Sequence, residues 1–248
     1  MILGKCLFCK KDFRKRTKKY KFCSLTCSNN FNKNGLIKIK LPQNSESLAE
    51  FVGICLGDGY VSKYQTQIVL NSIADKDYVP YVIELIKKLF PILKISLYKR
   101  REENALNIRI NSKIVSDFLM HMGVIAKNKK VPLWILENMS YRKACIRGLF
   151  DTEGCISFKK YQGKSKESLY KQLIFTNINK EIIQFVRDTL INLGLKPTMS
   201  LKKYLYLSSH QGVDHFREEI GFSNAKLLKR SFVYDIYGYH NLKLKEKK

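Results

Sequence analysis

Taken for its apolar and polar positions alone, the chain gives one phrase twice. The stretch Phe51-Val-Gly-Ile-Cys-Leu-Gly-Asp-Gly59 is mostly apolar and predicts a helix, with Ser45 or Ser47 as its N-cap. Alternation then predicts a hairpin from Tyr60–Ser62 and Gln67–Asn71. A helix follows over Asp75–Phe90, with Tyr78, Val82, Leu85, Ile86 and Leu89 on one stripe. Leu93–Arg100 and Ala105–Ile110 make a second hairpin, and Ser112–Met122 a further helix. The second half repeats the order. A Pro132-led helix and the apolar stretch Ile146-Arg-Gly-Leu-Phe-Asp-Thr-Glu-Gly154 precede strands at Cys155–Lys160 and Ser168–Asn177. An amphipathic helix over Lys180–Leu193, a tight hairpin of Thr198–Lys202 with Tyr204–Leu207, and a helix over Gln211–Ile220 complete it. Both halves close on a similar phrase, Met122-Gly-Val-Ile-Ala-Lys127 and Ile220-Gly-Phe-Ser-Asn-Ala-Lys226. The expected fold is α/β of the α+β kind, a duplicated αββαββα unit with antiparallel sheets and pseudo-twofold symmetry. Residues 46–130 and 131–240 are the repeats, 1–40 a separate module and 241–248 a basic tail.

The two apolar stretches share a device. Gly53 with Gly57, and Gly148 with Thr152, are small residues four apart on one helix face, so each helix offers a groove into which the other can pack closely. Gly59 and Gly154 are expected as left-handed caps, which puts Asp58 and Glu153 at the C-terminal tips. A carboxylate is unfavourable there, because the helix dipole is negative at that end, and two packed helices would bring the two acids together. A divalent cation would offset both penalties. The alternative for either stretch alone is an amphipathic helix with an acidic capping turn.

These stretches resemble the two motifs of the LAGLIDADG homing endonucleases, the second closely and the first more loosely, with Leu56 where the usual sixth-position acid is kept as Asp151. The resemblance implies a single-chain monomer whose two sheets form a saddle over DNA. It implies Asp58 and Glu153 as catalytic acids holding Mg2+, helped by backbone carbonyls near Gly57 and Thr152. It also implies a supporting lysine in each half, Lys226 in the second and Lys127 or Lys129 in the first. The activity implied is site-specific, metal-dependent hydrolysis of both strands of a DNA duplex. The alternative is a relative that does not cleave, acting as an intron RNA maturase or a DNA-binding regulator.

Charge narrows the partner. The 248 residues carry 46 Lys+Arg against 21 Asp+Glu, a net charge of +25, which answers a polyanion. No apolar run approaches the roughly 18 residues that span a bilayer, and the N-terminus has no signal-peptide core. Duplex DNA in the cytoplasm at the nucleoid, or in an organelle matrix, is therefore the expected setting, with no membrane partner and no secretion. Each strand can turn one row toward the helices and the other toward DNA. The candidate DNA row is Tyr60, Ser62, Gln65, Gln67, Lys99, Arg101, Asn107 and Arg109 in the first half. In the second it is Lys159, Tyr161, Lys171, Gln172, Lys202, Lys203 and Tyr204. Any solvated sheet face would carry similar side chains; their number in so basic a chain favours DNA.

The first 40 residues hold four of the seven cysteines. Cys6 and Cys9, then Cys23 and Cys27, make two knuckle-like pairs that supply the four thiolates of a structural Zn2+ site. A redox pair would not explain the second couple. Lysines, arginines and aromatics between the pairs suggest a finger that anchors on DNA, with a protein-contact finger as the alternative. His240-Asn241 resembles an intein terminus, but Met1 is not a splicing nucleophile and seven residues follow Asn241, so a free-standing product is expected.

Overall fold

The computed structural model describes residues 2–15, 17, 19–34, 39–100, 103–125, 128–162 and 167–232. Two compact units, Met1–Lys40 and Leu41–Lys248, divide the chain. In the first, β1 (Ile2–Lys5) pairs antiparallel with β2 (Asp12–Lys15). Between them the chain doubles back: Cys6 N–H donates to Lys11 O at 2.9 Å, and Lys10, at φ 62°, donates to Cys6 O at 3.0 Å. A helix, α1 (Leu25–Asn34), carries Cys27, whose N–H donates to Ser24 Oγ at 3.1 Å.

The second unit runs α2 (Glu46–Gly57), β3 (Gly59–Val61), β4 (Thr66–Asn71), α3 (Val79–Leu89), β5 (Ile95–Lys99), β6 (Ala105–Ile110) and α4 (Lys113–His121). After the short α5 (Leu133–Leu136) come α6 (Met139–Glu153), β7 (Gly154–Gln162), β8 (Glu167–Thr176), α7 (Lys180–Asn192), β9 (Thr198–Ser200), β10 (Tyr204–Leu207) and α8 (His210–Glu219). Residues 225–232 are helical as well, an element that apolar periodicity does not announce. The sheets are antiparallel with matching orders, β3-β4-β6-β5 and β7-β8-β10-β9. The predicted helix from Asp75 starts later, at Val79, because Asn71 ties up the intervening residues. Asn71 Oδ1 accepts from the N–H groups of Ile73 and Ala74, and its own N–H donates to Asp75 Oδ2. Such local side-chain bonds compete with helix formation. No described helix is long and apolar enough to cross a membrane.

One face of each sheet is core. Ile68, Leu70, Ile108 and Ile110 are buried under the first repeat's helices, and Leu173, Phe175, Leu205 and Leu207 under the second's. The seam between the repeats is the pair α2 and α6. A methyl group on Gly53 would collide with the Cys145 carbonyl oxygen, and one on Gly148 would collide with Glu50 O and lie 2.8 Å from Ile54 N. The small-residue faces do pack backbone to backbone, and Ser45 caps α2 by accepting from Leu48 N–H at 3.3 Å.

The expectation for Gly59 and Gly154 is corrected. Among the described residues the left-handed glycines are Gly123, Gly194 and Gly221, and Gly154 is extended at φ −89°, ψ 153°. Glycine is needed for space instead. A Cβ on Gly59 would run into the Cys55 backbone, and one on Gly154 into Phe150 O, because each helix passes directly into a strand. Gly123 and Gly221, within the similar closing phrases, are the positions that do take a positive φ, at 88° and 74°.

Candidate active site and nucleic-acid interface

Asp58 is the C-cap residue of α2 and Glu153 the last residue of α6. The close packing at Gly57 brings them together, since a Cβ on Gly57 would lie 3.2 Å from Glu153 Cγ and would strike Thr152 Oγ1. Burial pushes the Asp58 carboxyl up to about 7; Glu153 and Asp75 add to this, while Lys129 and Lys226 oppose it. Burial also raises Glu153, with Lys129 acting against it. Two acids that resist ionisation at adjacent helix tips are a donor set suited to a hard divalent cation, because the cation offsets the cost of ionising each.

Lys129 supplies positive charge from the first half. Its Nζ donates to Leu56 O at 2.9 Å and Gly57 O at 2.7 Å, satisfying the last carbonyls of α2. The Gly57 carbonyl expected to face a metal therefore already accepts from an ammonium. Burial lowers the Lys129 pKa, partly offset by Cys55, Glu153 and Asp58. Lys127, the other candidate, lies outside the described residues. Lys226 has a different partner: its Nζ donates to Asp75 Oδ1 at 2.6 Å, and Asn224 Nδ2 bridges Asp75 Oδ1 (3.2 Å) and Asp151 O (3.0 Å).

Asp75 and Asn224 are missing from the sequence reading. Asp75 stands in a turn of the first repeat and joins Lys226, at the start of a helical segment of the second 151 positions away, so nothing local marks it. A reciprocal strap runs from Asn179 Nδ2 to Lys129 O at 2.7 Å. Beneath these, Glu50 is buried yet fully engaged: Arg147 Nε and Nη2 donate to its Oε2 (3.1 and 2.9 Å), and Tyr81 and Ser223 hydroxyls donate to its Oε1 (2.6 and 2.7 Å). Asp151 Oδ2 accepts from Ser223 N–H at 3.0 Å, and burial pushes its carboxyl up to about 8. Burial likewise pushes the Cys55 thiol up to about 12 and raises Cys145, leaving both as packing groups.

Strand register sorts the candidate DNA row. Tyr60, Gln67 and Arg109 are cross-strand neighbours on the face away from the helices. Arg109 Nε donates to Gln67 Oε1 at 3.1 Å, and its guanidinium lies 4.4 Å from the Tyr98 ring centroid. Ser62 Oγ donates to Gln65 O, and Gln65 Nε2 to Asn111 Oδ1 at 2.7 Å. Asn107 shares this face but is fully buried. Lys202 and Lys203 are exposed in the β9–β10 turn, where Lys203 Nζ lies 5.2 Å from the ring centroid of the half-buried Tyr204.

Two candidates take the other register parity, Lys99 exposed at the end of its edge strand and Lys171 buried. Lys99 pairs with Leu106 and Lys171 with Phe158, so both take the core-side parity. Lys171 is wholly buried there, donating to Asp214 Oδ1 and Ser231 O, both at 2.9 Å. Gln172 has the outward parity but is 5% exposed, with Nε2 donating to Ser208 Oγ. Arg101 and the 241–248 tail lie outside the described residues; Lys159 and Tyr161 have backbone register, opposite Tyr170 and Ser168, but their side chains are not described.

In the N-terminal unit, Cys9 Sγ lies 3.6 Å from Cys23 Sγ, and Cys23 Sγ 3.5 Å from Cys27 Sγ. All four cysteine sulfurs lie within 4.8 Å of one another. Tetrahedral zinc with about 2.3 Å bonds sets its sulfurs about 3.8 Å apart, so the thiols present fit that ion.

Two αββαββα repeats joined by acid-tipped helices define the single-chain LAGLIDADG homing endonuclease class of fold. The model described as a LAGLIDADG-like domain matches residues 140–221, from α6 through α8. That match covers a third of the chain, and the fold of the whole second unit is that of the two-repeat LAGLIDADG homing endonucleases. Among solved structures it is similar to the I-LtrWI LAGLIDADG homing endonuclease bound to target DNA, with a TM-score of 0.54, 14% identity, and 83% of this chain and 92% of that one covered. It is also similar to a variant of the homing endonuclease I-DmoI in complex with its target DNA, with a TM-score of 0.51, 22% identity, and 74% and 97% covered. Curated relatives include the reverse gyrase of Methanocaldococcus jannaschii, 25% identical over 202 residues, 80% of this chain and 12% of that protein. The replication factor C small subunit of the same organism is 25% identical over 190 residues, 75% of this chain and 10% of that protein. The chain thus spans about a tenth of the length of these curated relatives.

Proposed function

We propose that this protein is a site-specific endonuclease that hydrolyses one phosphodiester on each strand of a DNA duplex with a divalent cation, Mg2+, at Asp58 and Glu153. The observation that carries the reading is the placement of two acids, whose ionisation burial disfavours, at touching helix ends, each within the field of Lys129. The DNA-bound neighbours, the net charge of +25 and the polar outward row of the first sheet agree with it.

Asp58 and Glu153 would hold the cation, which when bound polarises a phosphate, activates water and stabilises the leaving oxygen. The chain's own residues do the rest. Lys129, fixed by two carbonyls, keeps a positive charge beside both acids and stabilises added negative charge on a phosphate. Lys226 serves the second half, oriented by Asp75. The seam at Gly53, Gly57 and Gly148 holds the two acids at fixed separation, as two cuts in one duplex require. Residues 46–130 and 131–240 act as the two DNA-binding halves. In the 1–40 module Cys6, Cys9, Cys23 and Cys27 hold a structural Zn2+, and its surplus of positive charge adds affinity for the phosphate backbone.

Cleavage of a selected duplex tests the reading. Asp58→Asn and Glu153→Gln are expected to bind it with little loss and to stop Mg2+-dependent cutting. Full cleavage by the double variant would refute the assignment, and binding without any nicking by the unsubstituted protein would move the chain to the non-cleaving maturase or regulator alternative.

A further inference from the structure

Two asparagines beside the lysines of the candidate site each serve two purposes. Asn179 is the N-cap of α7, and its Oδ1 accepts from the N–H groups of Glu181 at 2.9 Å and Ile182 at 3.4 Å. Asn224 stands just before the helical segment 225–232, where its Oδ1 accepts from Lys226 N–H at 3.0 Å and its carbonyl from Leu228 N–H. Holding a helix start uses only the oxygen of each amide. The Nδ2 groups go elsewhere, and both cross between the repeats.

Asn179 belongs to the second repeat, yet its Nδ2 donates to Lys129 O of the first at 2.7 Å. The main chain of Lys129 is held there while its Nζ reaches Leu56 O and Gly57 O, so a residue of the second repeat fixes the lysine loop of the first. A looser contact runs the same way, between Lys130 Nζ and Glu181 Oε1 in the first turn of α7 at 3.8 Å. In the second half the direction reverses. The buried Asn224 sends Nδ2 to Asp75 Oδ1 of the first repeat at 3.2 Å, and Lys226 Nζ meets the same oxygen. Aspartate and serine cap a helix about as well as asparagine, but an ionised carboxylate has no donor and a hydroxyl has no second arm. Capping alone therefore does not call for an amide at either position; the bond to the other repeat does.

We infer that Asn179 and Asn224 are positioning residues that work across the seam: each sets the lysine of one repeat against the other repeat, so the cut made with each lysine depends on the repeat that does not supply it. This rests on the endonuclease reading above. It makes the two strand cuts depend on one another through the protein as well as through the DNA.

Single-turnover cleavage of a selected duplex, labelled differently on its two strands, by the full-length protein with Mg2+ tests it. Lys129→Met and Lys226→Met mark the strand that each lysine serves. Asn179→Ser keeps the cap and adds no charge, and it is expected to slow the Lys129 strand roughly 10-fold and the other strand little. Asn224→Ser should do the same to the Lys226 strand, and the half-buried Asn179 keeps the test open should that variant fail to fold. Added to Lys129→Met, Asn179→Ser should cause no further loss on that strand, because both act through one group. The denaturant midpoint of Asn179→Ser should stay near that of the unsubstituted protein, while Asn179→Ala, which loses the cap as well, lowers it. No slowing by Asn179→Ser, equal slowing of both strands, or slowing of the Lys226 strand overturns the inference and leaves the endonuclease reading intact. No cutting of either strand by the unsubstituted protein overturns that reading and the inference with it.

Discussion

The tips of α2 and α6 solve one problem in two ways. At α2 a lysine from the same repeat, Lys129, donates to the terminal carbonyls. At α6 the neutral amide of Asn224 donates to the Asp151 carbonyl, and the nearby Lys226 is engaged by Asp75 of the other repeat. Two positions before each acid the contrast recurs: Leu56 is a buried aliphatic, while Asp151 is a buried acid pushed up to about 8 and therefore mostly neutral at pH 7. What the two repeats hold in common is the close helix contact and the terminal acid. The groups that satisfy the helix ends differ, because any donor of the right reach does that work.

The largest test of this comparison attacks what is common. Gly148→Leu is expected to cost about 3 kcal/mol or more, since its side chain would enter the Glu50 and Ile54 backbone; denaturant unfolding measures it, and a wild-type midpoint would mean the seam is looser than described. The next attacks the difference. Lys129→Met should lower cleavage roughly 100-fold, as loss of a charge fixed beside the reacting phosphate does, and Lys226→Met less, because Asp75 already neutralises that lysine. Equal losses in single-turnover rates would break the distinction.

A smaller effect lies in pH. Asp58 and Asp151, at about 7 and about 8, hold protons in the folded state that the unfolded chain releases near the ordinary carboxylate range. Their contribution to the stability of the protein without Mg2+ is therefore greatest below about pH 4 and is lost as pH rises to about 7 for Asp58 and about 8 for Asp151, by at most about 1.4 kcal/mol per pH unit for each acid. Asp151→Leu, which copies Leu56, should remove the upper part of that fall; thermal midpoints at pH 5 and 9 would show it, and a rise with pH would contradict the burial argument. Smallest are the N-caps. Ser45→Ala and Asn138→Ala each remove one acceptor for a first-turn N–H, at 3.3 and 3.2 Å, and should each cost about 1 kcal/mol by denaturant unfolding, equally at the two helices.

Both motifs, the order of elements and the cysteine pairs were legible because each is a local pattern. The side of a strand was less so. Lys171 looks like a surface residue by type, but parity is fixed by where pairing starts, and in its sheet pairing starts at Gly154 in the β7 strand. Lys171 is tolerated inside because groups such as Asp214 and Ser231 meet its ammonium. The choice among lysines was also illegible: in a chain with 46 Lys+Arg, composition does not say which one reaches the helix end. The Asp75, Asn224 and Lys226 cluster joins segments far apart in sequence, and only the folded seam brings them together.

The seam has a kinetic consequence. Gly53 and Gly148 touch backbones across 95 intervening steps of chain, so their contact closes a long loop, whereas each sheet is assembled mainly from neighbouring strands. Loop entropy must be lost before that contact returns anything. Docking of α6 against α2 is therefore expected to be the slow event in folding. The acids at the two tips come together only with it, so their pairing is expected among the last features the chain acquires and would serve as a report that folding is complete.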